Sequence, residues 1–447
     1  MAEIIRLMIE LRSPAAEESL SRGEIAAEFD DGLLPPLPGF TWDRAFPLIS
    51  IPGAVHAPEP VRAEESFAPA SPGATWIACG EVERTNLDQW RSEAEAYPEI
   101  VGVWSNPPIE LAVLCPDSPG SGTEAEIATL LAVEQMVQQG LDGSGVPLAL
   151  VDTGSNQDFL HQRGKTQHTF DAAHSLSIRP DVLPPGRVPL TPAALSHGTM
   201  TAYDALIAAP RAILRDVAVV LPGTTQQHLD RVLWGFKGIY TLALAARNIG
   251  QPFSLVVSNS WALSDPDEDL PANDPGNFIS NPQHVVNRMV AALDAAGVDV
   301  VFAAGNCGPS CPFPSCRASG ATIYGANSHP QALCVGGVDV TGAPLGYSSI
   351  GPGFLGPLKP DLCGFAHFSG SGLSSRDIGT STAAPVVAGV LAALRTRLPY
   401  DPVQNKFPPS YLRGVLRATA RRQGNTHDRT LGWGVINPAA AAAKLFS

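Results

Sequence analysis

Residues 379–385 read Gly379-Thr380-Ser381-Thr382-Ala383-Ala384-Pro385 and run directly into Val386-Val387-Ala388-Gly389-Val390-Leu391. The apolar run predicts a helix over Ser381–Arg397. A serine at a helix start is ordinarily an N-cap. This one follows Gly-Thr and is followed only by small residues, so another chain can approach it closely. The first-turn backbone N–H groups of such a helix have no intrahelical partner and can bind developing negative charge.

Three more segments stand upstream. Ala149-Leu150-Val151-Asp152-Thr153-Gly154 ends an apolar strand in a carboxylate, followed by a glycine that permits a sharp turn. Ser196-His197-Gly198-Thr199-Met200-Thr201-Ala202 places a histidine at the start of a helix. Ala303-Ala304-Gly305-Asn306 ends another apolar strand with an amide at a turn. Each has a plain structural reading when taken singly: a loop-capping Asp, one structural histidine among ten, a common Gly-Asn turn. Together they put Asp, His, Asn and Ser in one chain order, the order Asp…His…Ser of one of the independently evolved serine triads. An α/β-hydrolase is disfavoured, since its order is Ser…Asp/Glu…His and Ser381 lacks G-x-S-x-G.

Between these segments helices and near-continuous apolar strands alternate. Helices are predicted at Glu124–Gln139, Leu229–Asn248 and Gln283–Ala296. Strands are predicted at Pro147–Val151, Ser254–Ser258, Val298–Ala303 and Leu333–Val338. This alternation predicts an α/β fold, a parallel sheet covered by helices on both faces. The first 118 or so residues differ. Strands at Ile4–Leu11, Phe46–Ile51, Thr75–Gly80 and Ile100–Trp104, with helices at Ala16–Phe29 and Leu87–Tyr97, give a βαββαβ order and a small ferredoxin-like α+β domain. Ile109–Leu114 reads as a further extended piece, residues 52–74 as a linker, and Cys115–Gly122 as an exposed connector. The expected division is 1–118 and 119–447.

On these residues the chain resembles the subtilase family of serine peptidases, over about Glu124–Ala440. The resemblance rests on DTG at Asp152, HGT at His197, AAGN at Asn306 and GTSTAAP at Ser381. Ser258-Asn259-Ser260-Trp261 is similar to the family's cleft-lining strand, and Lys359-Pro360-Asp361-Leu362 to its approach to the nucleophile. It implies a subtilisin-like endopeptidase. Ser381 would be the nucleophile and His197 the general base, Asp152 would orient the imidazole, and Asn306 with the Ser381 N–H would hold the oxyanion. Ser260, Trp261, Ala262, Ala304 and Gly305 would line the substrate cleft. No cofactor or metal enters this chemistry. Structural calcium, which some members carry, is not mappable onto a loop of this sequence. The N-terminal domain would be a pro-segment that blocks the cleft as an intramolecular inhibitor, its ending at Pro98–Trp104 and Ile109–Leu111. Rival readings are an inactive, peptide-binding form of the fold and a serine esterase.

The sequence departs from the family pattern at Met200-Thr201 after the histidine, at Ala262 where glycine is usual, and at Cys363-Gly364-Phe365 after Asp361. The methyl of Ala262 would narrow the primary pocket. The acidic run Ser264-Asp265-Pro266-Asp267-Glu268-Asp269 is either a pocket for basic side chains or a solvated loop. Cys307, Cys311 and Cys316 crowd the loop after Asn306, and a disulfide within it, free thiols and a zinc site are all open readings. Cys79 and Cys334 read as core residues.

With 44% hydrophobic and 16% charged residues the chain is globular. A net charge of −14 makes nucleic acid an unfavoured partner. No apolar stretch is long enough for a membrane span. MAEIIRLMIELRSP lacks a basic region followed by a long apolar run, so it reads as a strand and not a signal peptide, and the expected location is cytoplasmic, or secreted where a leader has been removed. Protein or peptide substrates are the expected partners.

Overall fold

The computed structural model describes residues 3–27, 34–53, 73–94, 96–111, 121–221, 228–267, 270–318, 320–422, 424 and 426–446. Most of the 52–74 linker, most of the Cys115–Gly122 connector, the 112–114 end of the extended piece, and Glu268 and Asp269 lie outside them.

The N-terminal part runs β1 (Ile4–Arg12), α1 (Pro14–Ser21), β2 (Phe40–Trp42), β3 (Ile49–Ile51), β4 (Thr75–Glu83), α2 (Leu87–Ala94), β5 (Ile100–Ser105) and β6 (Glu110–Leu111). Its antiparallel sheet has the order β2-β4-β1-β5, and β3 shares the β4 edge with β2. This is the ferredoxin-like arrangement, with one short strand more than the sequence predicts. The first helix ends at Ser21, well before Phe29. Strand alternation gives the sheet two buried faces. Leu7, Ile9, Leu11, Trp76 and Ala78 pack against Leu87 and Trp90 of α2. Met8, Ile77 and Cys79 face the other way, into the core of the larger part.

That larger part runs α3 (Glu124–Leu130), α4 (Val133–Gln138), β7 (Pro147–Asp152), α5 (Gln157–Gln162), β8 (Thr169–Phe170), β9 (Leu176–Ser177), α6 (His197–Ala208) and β10 (Ile213–Ala218). It continues through α7 (Leu229–Asn248), β11 (Val256–Asn259), β12 (Trp261–Ala262), α8 (Val285–Ala295), β13 (Asp299–Ala303), β14 (Ala321–Ile323), β15 (Leu333–Val338), β16 (Ile350–Gly353) and β17 (Leu362–Phe365). It ends with α9 (Thr380–Arg395), α10 (Pro409–Thr419) and α11 (Pro438–Phe446). The main sheet is parallel, with the order β17-β15-β13-β11-β7-β10-β8 and β9 also on β10. Helices α6 and α9 cover one face and α7 and α8 the other, each with its own apolar core. The predicted helix over 124–139 is broken at Ala132, which takes φ +53° and separates α3 from α4. Buried Leu131 and Met136 flank the break, so packing overrides an unbroken helical propensity.

The two parts are joined by polar contacts across the face of the small sheet. Arg6 pairs with Asp230 of α7 at 2.9 Å, Arg91 with Asp274 at 2.5 Å, and Arg288 of α8 with buried Glu10 at 2.6 Å. Burial opposes ionisation of Asp230, yet the Arg6 guanidinium holds its carboxyl below the usual range. Ser105 donates its N–H to Gly276 O, and His284 Nε2 lies 2.9 Å from Ser105 O. Among the described residues no helix is long and apolar enough to cross a membrane.

Candidate active site

Asp152 ends β7, a central strand, and is 1% exposed. The chain then turns through Thr153 and Gly154 towards α5, and this turn packs against the start of α6. The Thr153 hydroxyl donates to Leu195 O at 2.8 Å and accepts from the Gly198 N–H at 2.9 Å, which ties the end of β7 to the beginning of α6. A Cβ on Gly198 would stand 2.4 Å from Gly154 O, so only glycine permits this approach. The result places His197 Nδ1 at 2.9 Å from both carboxylate oxygens of Asp152. His197 Nε2 is buried and has no hydrogen-bond partner.

Ser381 is the second residue of α9 and is 1% exposed. Its helix lies directly on α6, where a Cβ on Gly389 would meet Ala205 O at 2.2 Å. The Ser381 hydroxyl donates to Ser260 O at 3.1 Å, and the Ser260 hydroxyl donates to Ser381 O at 3.0 Å. Asn306 follows β13. Its Oδ1 accepts from the Thr380 N–H at 2.9 Å and lies 3.0 Å from the Thr380 hydroxyl. The carbonyl end of the amide is thus committed to α9 and the NH₂ end is left to donate. The Thr380 hydroxyl also accepts from the Gly305 N–H at 3.1 Å and lies 3.1 Å from the Gly305 carbonyl oxygen. The sequence reading passed over Thr380, although it stands inside the Gly-Thr-Ser segment.

Two buried carboxyls support this arrangement. Asp216 at the far end of β10 accepts from the Ser155 N–H and hydroxyl and from the Gly186 N–H, holding the loop after Asp152. Burial pushes its carboxyl up. On α6, Asp204 faces Asp377, four residues before Ser381. Burial, and then the neighbouring Asp377 charge, push the Asp204 carboxyl well above the ordinary range. Asp377 in turn accepts from the Ser371 N–H and hydroxyl at 2.5 Å.

A pocket opens between the strands that carry Ser260 and Asn306. It is lined by Ser260, Trp261, Ala262, Gly305 and Asn306, all predicted, and by Phe313 and Ser264, which were not. Ala304, also predicted, packs instead with Ile323 and Cys334. Neither Asp265 nor Asp267, the described carboxylates of the acidic run, joins this lining, and Asp265 lies 3.6 Å from Arg317. The loop after Asn306 is closed by a Cys307–Cys316 disulfide, and Cys311 is also disulfide-bonded. Cys79, Cys334 and Cys363 are free and buried. Among the described residues no cluster of three His, Cys, Asp or Glu side chains is arranged to hold a metal ion, and no calcium site is assigned.

Strand β6 from the N-terminal part pairs antiparallel with β12, Leu111 opposite Trp261 and Glu110 opposite Ala262. Pro108 bridges His228 on the other side. The segment therefore lies as an extra strand along the edge that flanks Ser381.

Residues 143–434 match the family model described as the subtilase family. The chain belongs to the subtilase family. Among curated relatives it is 32% identical to Mycosin-1 of Mycobacterium tuberculosis over 170 residues, 34% of this chain and 37% of that protein. It is 26% identical to the subtilisin-like protease PopC of Myxococcus xanthus over 345 residues, 72% of this chain and 65% of the relative. It is 28% identical to the M-protease of Shouchella clausii over 312 residues, 68% and 66% respectively. This subtilase thus spans between about a third and two thirds of the length of these relatives.

Proposed function

We propose that the chain is a serine endopeptidase held in check by its own N-terminal part. The observation that carries this reading is His197 Nδ1 set against both oxygens of buried Asp152, in a fold where Ser381 opens α9 beside Asn306. Asp152 fixes the imidazole with its proton on Nδ1, so Nε2 is the base. For attack, the Ser381 hydroxyl turns from Ser260 O to His197 Nε2, a side-chain rotation. His197 takes the proton as Ser381 Oγ bonds to the scissile carbonyl carbon, and returns it to the leaving amine. The oxyanion is received by Asn306 Nδ2 and the Ser381 N–H at the start of α9, donors set before the reaction begins. A water then repeats the sequence on the acyl-enzyme and frees Ser381.

A substrate would add a strand to β12, the position now taken by β6. That overlap supports reading residues 1–118 as an inhibitory pro-segment and 119–447 as the catalytic domain. The disulfide beside Asn306 favours an oxidising compartment over the cytoplasmic location expected from the sequence. The test is digestion of casein together with labelling by a fluorophosphonate probe, with Ser381→Ala as control. Loss of both in the variant supports the reading. Labelling without casein digestion, alongside turnover of a short-chain ester, would replace it with an esterase. Neither labelling nor digestion by the parent would leave a peptide-binding fold.

A further inference from the structure

The pocket beside Ser381 is closed to all but the smallest side chains. Its two walls are the stretch Ser260–Ser264 and, opposite, Ala303 with Gly305–Cys307. They meet at Ala262 and Gly305. A Cβ placed on Gly305 would stand only 3.3 Å from the Ala262 Cβ, so the Ala262 methyl already fills the gap between the walls. The cavity is about 20 Å³, the room of roughly one water. Phe313 lines it as well, its N–H bonded to Asn306 O at 3.0 Å. The wall that carries Phe313 is not free to yield. Cys307 is bonded to Cys316, its N–H donates to Ser349 Oγ at 3.0 Å, and its carbonyl accepts from Thr322 Oγ1 at 3.0 Å. No lining residue is charged, so nothing there compensates a Lys, Arg, Asp or Glu side chain.

A substrate bound in the register of β6 passes Ala262, then Trp261, then Ser260. The residue at Ser260 is the one whose carbonyl reaches Ser381, because Ser260 and Ser381 are hydrogen-bonded to each other. Its side chain enters this pocket. We infer that the enzyme cleaves after Gly, Ala or Ser, and that Ala262 sets this limit, with Phe313 as the second wall. The inference rests on the endopeptidase reading and narrows its substrate class. A pocket closed by a methyl admits another methyl or a hydroxymethyl and excludes Leu, Phe and Arg sterically.

The test uses the full chain after its self-processing has run to completion, on peptides that differ only in the residue before the scissile bond. Ala should exceed Leu, Phe and Arg in kcat/KM by about a hundredfold, the upper range for steric discrimination in an apolar pocket. The self-processing site itself is a second readout. Cleavage is expected after Ala112, the residue that follows Leu111 in the sequence. Ala262→Gly should raise the Leu-to-Ala ratio of kcat/KM at least about tenfold, and Phe313→Ala should raise the Phe-to-Ala ratio. A parent enzyme that cleaves after Leu, Phe or Arg as fast as after Ala would overturn the inference and leave the peptidase reading intact. Ratios unmoved in both variants would also overturn it. No cleavage of any peptide or of the chain itself, with Ser381 unlabelled by fluorophosphonate, would instead overturn the peptidase reading and this inference with it.

Discussion

Ser381 and Ser260 hold each other by two reciprocal hydrogen bonds, each hydroxyl donating to the other residue's carbonyl at 3.1 and 3.0 Å. The strand that receives substrate and the helix that carries the nucleophile are thereby fixed to one another. The same bond keeps the Ser381 proton away from His197 Nε2, which has no partner. On the proposed mechanism, Ser381 is therefore in a resting rotamer while β6 lies on β12.

Asn306 and Thr380 should separate in their effects. Asn306→Ala removes the donor to the oxyanion and should lower kcat by about 10²–10³ with a smaller change in KM. Thr380→Val keeps the donor but removes the hydroxyl that holds Gly305 and the Asn306 amide. A smaller drop in kcat, about tenfold or less, is expected, since the N–H of residue 380 still binds Asn306 Oδ1. Steady-state kinetics on one peptide substrate decides both.

Asp152→Asn should leave the fold intact and lower kcat by about 10⁴, because an amide no longer enforces the Nδ1–H tautomer of His197. Raising the pH should recover none of the loss if tautomer control is the cause. Recovery at alkaline pH would point to a simple charge effect.

Acid should destabilise the protein well above the carboxylate range. Burial lowers His284 and His329 to about 3 each, and Arg288 or Lys359 nearby adds to the shift. Their ordinary value is 6.5, so on acidification the unfolded chain takes up these protons first. Stability is complete above pH 6.5 and is lost as pH falls from 6.5 towards 3. Each group contributes about 2 kcal/mol of this loss at pH 5. Thermal melts at pH 7.5 and 5 should show it, and His284→Gln should flatten the dependence.

Asp204→Asn should not lower Tm at neutral pH and should raise it slightly. Burial and the neighbouring Asp377 charge push the Asp204 carboxyl well above the ordinary range, and an amide of the same shape carries no charge to desolvate. Asp204→Ala, which leaves a cavity beside Asp377, should lower Tm. Calorimetry on the two variants compares them directly.

Arg288→Ala should loosen the N-terminal sheet. Among the described residues Glu10 would keep Thr75 Oγ1 at 2.6 Å and Trp104 Nε1 at 3.0 Å as partners for a buried carboxylate. Removing one partner of such a pair costs about 3–5 kcal/mol. Faster self-processing and earlier peptidase activity are the expected readout. An unchanged time course would mean that docking is not limited by this contact.

Much of the site was legible because its chemistry is local. Asp152, His197, Asn306 and Ser381 each sit at a strand or helix end beside the glycine or small residues that their geometry requires. What was illegible depends on distant partners. Phe313 reads as a loop residue until the Cys307–Cys316 bond folds it against the pocket. Asp204 reads as an exposed helical acid until α9 covers it. Ala132 carries no sequence sign of a left-handed residue, because packing of Leu131 and Met136 decides it. Strand β2 is three residues long, too short for alternation to register. Sequence alone leaves Asp265 as either a pocket acid or part of a solvated loop, and its partner Arg317 lies far along the chain.

The strand that lies on β12 belongs to the same chain as the nucleophile. If β6 inhibits as proposed, such a tethered blocker acts at an effective concentration on the order of millimolar, independent of how dilute the protein is. Competing peptide cannot displace it at ordinary levels. One cut after Ala112 changes the order of the reaction: the blocker becomes a second molecule, and its occupancy then falls with dilution. Release into a large volume would switch the enzyme on, and confinement would keep it off, with no change in any contact.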